Sequence, residues 1–301
     1  MPSRISCAVT PSPLERTFTT RLLGIPLTLA TEDPAPLPTL ARVLILLPPS
    51  EGKSAPRRGK PLDLDSLAAP RLTATRSELL EALTRLCEED PDRAADVLGL
   101  GATQRDLVER NAALRTAPTA RADAIYTGVL FDALDVATLS PAARRRATSR
   151  LAVTSSLFGI VRPGDRIPAY RLSGDAVLPG VGPVAAAWRE VLGEAVTDAM
   201  RGGLLVDLRS STYAAFWRPG KDLARHVATV RVLHESDGRR TVVSHFNKAT
   251  KGRIVRALLE DGADPRTPAA LAETLARLGW SVEVGEPTPK GTQLDVVVTQ
   301  V

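Results

Sequence analysis

Uninterrupted apolar runs alternate along this chain with stretches of helical spacing. Val43-Leu-Ile-Leu-Leu47 ends at Pro48-Pro49, and Leu204-Leu-Val-Asp-Leu208 is a second run of the same kind; both read as strands buried on two faces. His226–Glu235 and Thr241–His245 alternate apolar and polar residues around Ser236-Asp237-Gly238, which predicts a hairpin with strands over 228–234 and 241–246. Helical spacing runs through Thr75–Glu88, where Leu79, Leu80, Leu83 and Leu86 share a face, and through Gly101–Leu114, Ala142–Arg150, Val184–Met200, Asn247–Glu260 and Leu271–Leu278. Ser281–Val284 and Gln293–Val298 predict two closing strands. Strands interleaved with helices predict an α/β (α+β) fold, one compact domain over 43–301 with a mixed sheet surrounded by helices.

Residues 1–42 follow a different pattern. Proline is frequent, charges are few, and the one apolar run, Leu22–Ala30, is too short to span a membrane. Its internal proline and its distance from Met1 argue against a signal peptide. The expectation is a disordered extension, with a misassigned start codon as the alternative.

One stretch resists assignment to either regular element: Ser155-Ser-Leu-Phe-Gly-Ile-Val-Arg-Pro-Gly-Asp-Arg-Ile-Pro-Ala-Tyr-Arg171. Two prolines and two glycines exclude a helix through it or a strand in a sheet interior. Leu157, Phe158, Ile160, Val161, Ile167 and Tyr170 make it too apolar for a solvated loop. A rigid, partly buried turn presenting Arg162, Asp165, Arg166 and Arg171 is predicted, a functional loop or a structural connector with surface arginines.

Charge sharpens the picture in two ways. The net charge of +5 leans towards anionic partners. Of the 39 basic residues only six are lysines, so Lys53, Lys248 and Lys251 read as positions that need a compact ammonium able to lose its proton when desolvated. Ser140-Pro141 opens a helix that carries Arg144, Arg145 and Arg146, a basic rim for a polyanion such as DNA or a solvated face. Ser210 and Ser211 sit at a strand-to-helix junction that can cap amides or hold an anion. Ser50–Lys53 looks like a phosphate-binding turn but lacks the upstream glycine and the following helix. Tyr126 either points its hydroxyl into a central cleft or is an ordinary buried tyrosine. Leu178-Pro-Gly-Val-Gly182 reads as a turn entering the next helix, or as the hairpin of a helix-hairpin-helix, for which the Leu157–Gly159 turn is a second candidate. Cys7, Cys87, His226, His234 and His245 show no metal-ligand spacing, so neither metal nor cofactor is expected.

The same stretches carry a resemblance. Ser156–Asp165 with Tyr170-Arg-Leu172 resembles the "LSGLYGVLRPxD…YRLE" signature of the YaaA peroxide-stress family. Pro48–Lys53 resembles that family's SPAKT loop, Tyr126-Thr-Gly128 its "VYTG", Val206–Tyr213 its "NLASxEY", and Asn247–Arg253 its "AKKARG". The resemblance spans about residues 43 to 285. It implies a cytoplasmic protein of the hydrogen-peroxide response that limits iron-dependent damage and binds DNA non-enzymatically through a basic cleft. The competing expectation is an enzyme acting on a phosphorylated or nucleobase substrate, its catalytic residues unassigned. Binding of a protein partner has no positive signal. A single cleft is expected in which Lys248 and Lys251 face the Arg162–Arg171 turn, with Lys53 at its edge. Ser50, Tyr126, Asp165, Tyr170, Ser210, Ser211 and Arg253 complete the candidate set, in a monomer without membrane association.

Overall fold

The computed structural model describes residues 43–236 and 238–299. The expectation for residues 1–42 lies outside the described residues. The strands of the main sheet are β1 (Val43–Leu47), β2 (Leu151–Ser155), β3 (Gly159–Val161), β4 (Leu204–Asp207), β5 (Val227–Ser236), β6 (Arg239–Thr241), β7 (Ser281–Thr288) and β8 (Gly291–Val298). They form one eight-stranded sheet in the order β7-β8-β5-β4-β1-β2-β3, with β6 on the free part of β5. β2, β1, β4, β5 and β8 are mutually parallel, while β3, β6 and β7 run the other way. The mixed sheet and α/β class are as expected. β1, β2 and β4 are buried at every residue, the consequence of helices covering both faces of a parallel sheet.

Helices Thr73–Glu89, Pro141–Arg150, Val184–Met200 and Pro268–Arg277 fall where the periodicity places them. Ser140 caps the second of these, its Oγ accepting from the Ala143 amide at 3.2 Å. The expected strand over 241–246 does not form. β6 stops at Thr241 and a helix, Ser244–Asp261, begins three residues later. The adjacent Val242 and Val243 had already broken the alternation.

The Ser155–Arg171 stretch is more buried than a presented turn: only Gly164 and Arg166 in it are exposed. It leaves the sheet's carboxyl end at Ser155, returns along the edge as β3, and turns at the amino end. Gly159 makes that reversal, with φ of 72° and no room for a Cβ, which would lie 2.8 Å from the Trp188 ring. Both helix-hairpin-helix placements are corrected. Val177–Leu178 pairs with Gly182–Pro183 and leads into the helix Val184–Met200, with no helix in residues 159–183, and Leu157–Gly159 joins two strands.

The helix Ser244–Asp261 crosses the short helix Val129–Leu134 with Gly252 at the contact. A Cβ there would stand 2.3 Å from the Leu130 carbonyl oxygen and 2.8 Å from the Ala133 Cβ. Gly252→Ala should therefore destabilise the protein by about 2–3 kcal/mol in urea unfolding, as overpacking of a tight core does. An unchanged midpoint would show that the two helices part without cost.

Candidate functional site

β1, β2 and β4 end side by side, and the segments that follow them meet there, at the carboxyl end of the parallel strands. The loop after β1 is pinned to residues 125–127. Lys53 bridges Tyr126 through the backbone, the Ser54 amide donates to the Ile125 carbonyl at 2.8 Å, and the Thr127 amide donates to Ser50 Oγ at 3.2 Å. This pinning carries the Lys53 side chain inward, so the residue is half-buried while its ammonium is enclosed. Nζ donates to the Ser50 carbonyl at 2.8 Å and lies 4.1 Å from the centre of the Tyr170 ring and 5.6 Å from that of Tyr126. Tyr126 and Tyr170 are buried, their hydroxyls 3.2 Å apart, and Ser155 Oγ lies 2.8 Å from the Tyr170 hydroxyl. Ser155 Oγ also accepts from the Phe158 amide, which fixes its rotamer.

The electrostatics follow from enclosure. Burial pushes the Lys53 ammonium down to about 7, with the Glu51 carboxylate opposing and the Arg171 guanidinium adding to the shift. The Tyr126, Tyr170 and Tyr213 hydroxyls are pushed up, first by burial, so they remain protonated donors. The result is an amine that is neutral in part near pH 7, beside a chain of three hydroxyls. Such a group accepts a proton or attacks an electrophile, which a charged lysine cannot do. Three surface depressions are lined by residues outside this cluster.

Lys251 reaches the same end of the sheet. Its Nζ donates to the Leu208 carbonyl at 2.9 Å, and burial lowers its pKa against the attraction of Asp207. That bond helps hold the segment after β4, which is also tied by a buried pair. Arg209 Nε and Nη2 donate to the two Asp207 oxygens at 2.9 and 2.7 Å, and Nη1 and Nη2 donate to the carbonyls of Tyr213 and Trp217. Ser210 and Ser211 are exposed, and Ser210 makes no side-chain cap to the short helix Ser211–Ala214. Lys248 and Arg253 are exposed on the helix that carries Lys251.

The single cleft is corrected at Arg162 and Asp165. Because β3 runs antiparallel to β2, Arg162 is delivered to the amino end, where Nη1 donates to the carbonyls of Leu151 and Ser149 at 2.9 and 3.4 Å. Asp165 staples the turn there, accepting from the Arg162 and Ala68 amides. Only the Tyr170–Arg171 end of the stretch returns to the Lys53 cluster. The continuous arginine rim is also reduced. Arg146 donates to the Leu259 and Glu260 carbonyls at the end of the helix Ser244–Asp261, and Arg150 to those of Ala263 and Gly262 beyond it. Arg144 and Arg145 remain exposed.

Sequence reasoning missed Asn111 and Ser155. Asn111 is fully buried, and its side chain clamps the Arg171 backbone at both the amide and the carbonyl. A lone amide on the apolar face of a short helix was the available signal. Ser155 was legible only as the start of the irregular stretch, since nothing in Leu151–Ser155 marks where the preceding helix ends. Among the described residues no group of three or more His, Cys, Asp or Glu side chains could hold a metal ion. No described helix is long and apolar enough to cross a membrane.

Comparison with known proteins adds independent findings. A family profile described as peroxide stress protein YaaA matches residues 43–284. A UPF0246 protein of Streptomyces coelicolor is 51% identical over 261 residues, covering 86% of this chain and 100% of the relative. UPF0246 proteins of Corynebacterium efficiens and Corynebacterium glutamicum are 44% and 42% identical, over 81% and 80% of this chain and 96% and 95% of theirs. The matched region holds the whole Lys53–Tyr126–Tyr170 cluster, and the chain belongs to the YaaA peroxide-stress family, which is also named UPF0246.

Proposed function

We propose that this protein serves the response to hydrogen peroxide as an enzyme acting on a phosphorylated or nucleobase substrate, with Lys53 as the proton acceptor or nucleophile. The observation that supports this reading most is the Lys53 ammonium enclosed by Tyr126 and Tyr170, its pKa lowered to about 7 by burial. A purely electrostatic DNA contact needs no neutral amine and no buried hydroxyl chain. In this reading Lys53 takes a proton, and the Tyr126, Tyr170 and Ser155 hydroxyls hydrogen-bond the developing charge or relay a proton. Lys248, Arg253, Ser210 and Ser211 on the exposed rim attract the anionic end of the ligand. The protein works as a cytoplasmic monomer, and protection from iron-dependent damage is an indirect effect of the reaction.

The test is complementation. Cells lacking the protein are challenged with hydrogen peroxide and supplied with wild type or Lys53→Met. The variant should accumulate to the same level and fail to restore survival. Full restoration by Lys53→Met would remove the enzymatic reading. Native mass spectrometry of the purified protein should identify a co-purified phosphorylated or nucleobase compound.

DNA binding is the second reading, favoured by the exposure of Arg144, Arg145, Lys248 and Arg253 on two helices in mutual contact. Duplex affinity should then fall steeply with salt, by about one log-slope unit per phosphate contact. Replacing Arg144 and Arg145 together by Gln should lower that slope. Affinity that is constant from low to high salt would count against DNA as the partner.

A further inference from the structure

Arg171 is positioned more firmly than its own contacts require. Its amide donates to Asn111 Oδ1 at 2.9 Å and its carbonyl accepts from Asn111 Nδ2 at 2.7 Å, so a fully buried side chain fixes where the guanidinium starts. The guanidinium then reaches the loop after β1, where Nη1 donates to the Glu51 carboxylate. The two partners are unequal: the Arg171 side chain is 19% exposed and that of Glu51 58%. Arg171 Nε is buried and has no acceptor among the described residues.

This is a half-used fork. A guanidinium offers parallel N–H groups that match a carboxylate or a phosphate, and here one edge meets a largely solvated carboxylate while an inner N–H is unpaired. An ion pair exposed on one side is weak, because water screens it, so a better-placed oxyanion displaces Glu51 easily. Glu51 and Arg171 both act on Lys53, the first favouring its charge and the second opposing it, so an anion on Arg171 sits where Lys53 also feels it. The Glu51 carboxylate also helps push up the pKa of the buried Tyr213 hydroxyl.

On the reading that the Lys53 cluster is a substrate site, we propose that Arg171 is its oxyanion-binding residue and that Glu51 is an internal stand-in which the substrate's phosphate or carboxylate displaces. The ligand class is a small molecule with an oxyanion end on Arg171 and its reacting part against Lys53 and Tyr170. Glu51 then has two states, paired across the site without ligand and turned to solvent with it.

Calorimetric titration of the full chain with inorganic phosphate, adenosine monophosphate and acetate tests this. Glu51→Gln removes the stand-in charge at an exposed position and should tighten oxyanion binding about 3- to 5-fold, the worth of an exposed ion pair. Arg171→Gln should weaken it at least about tenfold, as loss of a charge-assisted bond does, and Arg171→Lys should recover part of that loss. Tightening by Glu51→Gln for phosphate and the monophosphate alone identifies a phosphoryl end, and tightening for acetate as well identifies a carboxylate end. Unchanged affinities in Glu51→Gln, wild-type binding by Arg171→Gln, or no binding of any of the three anions to any variant overturns the proposal. If Lys53 titrates near 7 while Glu51→Gln has no effect, this inference fails and the parent reading stands. An ordinary Lys53 with a responsive Glu51→Gln gives the reverse.

Discussion

Replacing Lys53 with Met should make the protein more stable at pH 6, by about 2–3 kcal/mol, while abolishing peroxide protection. The folded-state pKa of Lys53 is lowered to about 7 from 10.5. Below pH 7 the group is charged in both folded and unfolded states, and the folded protein bears the full cost of burying that charge. Between pH 7 and 10.5 the unfolded chain holds the proton and the folded one does not, so wild-type stability rises with pH across this window. Above it both forms are neutral and the burden is gone. A shift of this size corresponds to at most about 5 kcal/mol at about 1.4 kcal/mol per unit. Loss of the Ser50 hydrogen bond and the ring contacts offsets part of it. Urea unfolding of the two proteins at pH 6, 8 and 10.5 reads the effect, and the gain should shrink as pH rises. A destabilised variant at pH 6 would show that the ammonium is held by a compensating contact. No such gain is expected on replacing Lys248, which is exposed.

Arg209→Ala should cost about 3–5 kcal/mol, enough to threaten folding at 37 °C, because it strips a buried carboxylate of its bidentate partner. Asp207 and Arg209 are both buried, and the guanidinium also holds the carbonyls of Tyr213 and Trp217 that close the segment after β4. The double variant Asp207→Asn with Arg209→Met should recover much of the loss, since it removes both charges at once. Thermal unfolding of the single and double variants separates these outcomes. If Arg209→Ala unfolds like the wild type, the pair contributes nothing and the segment is held by its other contacts, such as the Lys251 bond to the Leu208 carbonyl and the Leu208 amide bond to the Leu46 carbonyl.

How far the site could be read from the sequence depended on how locally each residue's position is determined. β1 and β4 were legible because a buried parallel strand is a continuous apolar run. β2 was not, because Arg150 passes directly into Leu151 with no glycine or proline between helix and strand. That omission hid the reversal through β3, and with it the fact that Arg162 and Arg171, nine residues apart, lie at opposite ends of the sheet. The scarcity of lysine drew attention to Lys53 and Lys251, two side chains whose pKa burial lowers, because lysine's response to burial is a property of the side chain itself. Lys248 shares the motif of Lys251 but is exposed, a matter of helix phase. The arginine helix misled for a related reason: three consecutive guanidiniums read as a surface, yet Arg146 was used to cap the carbonyls of a helix over a hundred residues away. Long-range carbonyl caps leave no mark in composition or spacing.

The central claim is that Lys53 is a neutral amine in a substantial fraction of molecules at pH 7. Selective carbon-13 labelling of the six lysines, with the Lys53 signal assigned by its absence in Lys53→Met, gives its titration curve directly by nuclear magnetic resonance. A midpoint near 7 is the result expected from its enclosure by Tyr126 and Tyr170. A midpoint near the ordinary lysine value of about 10.4 would contradict it.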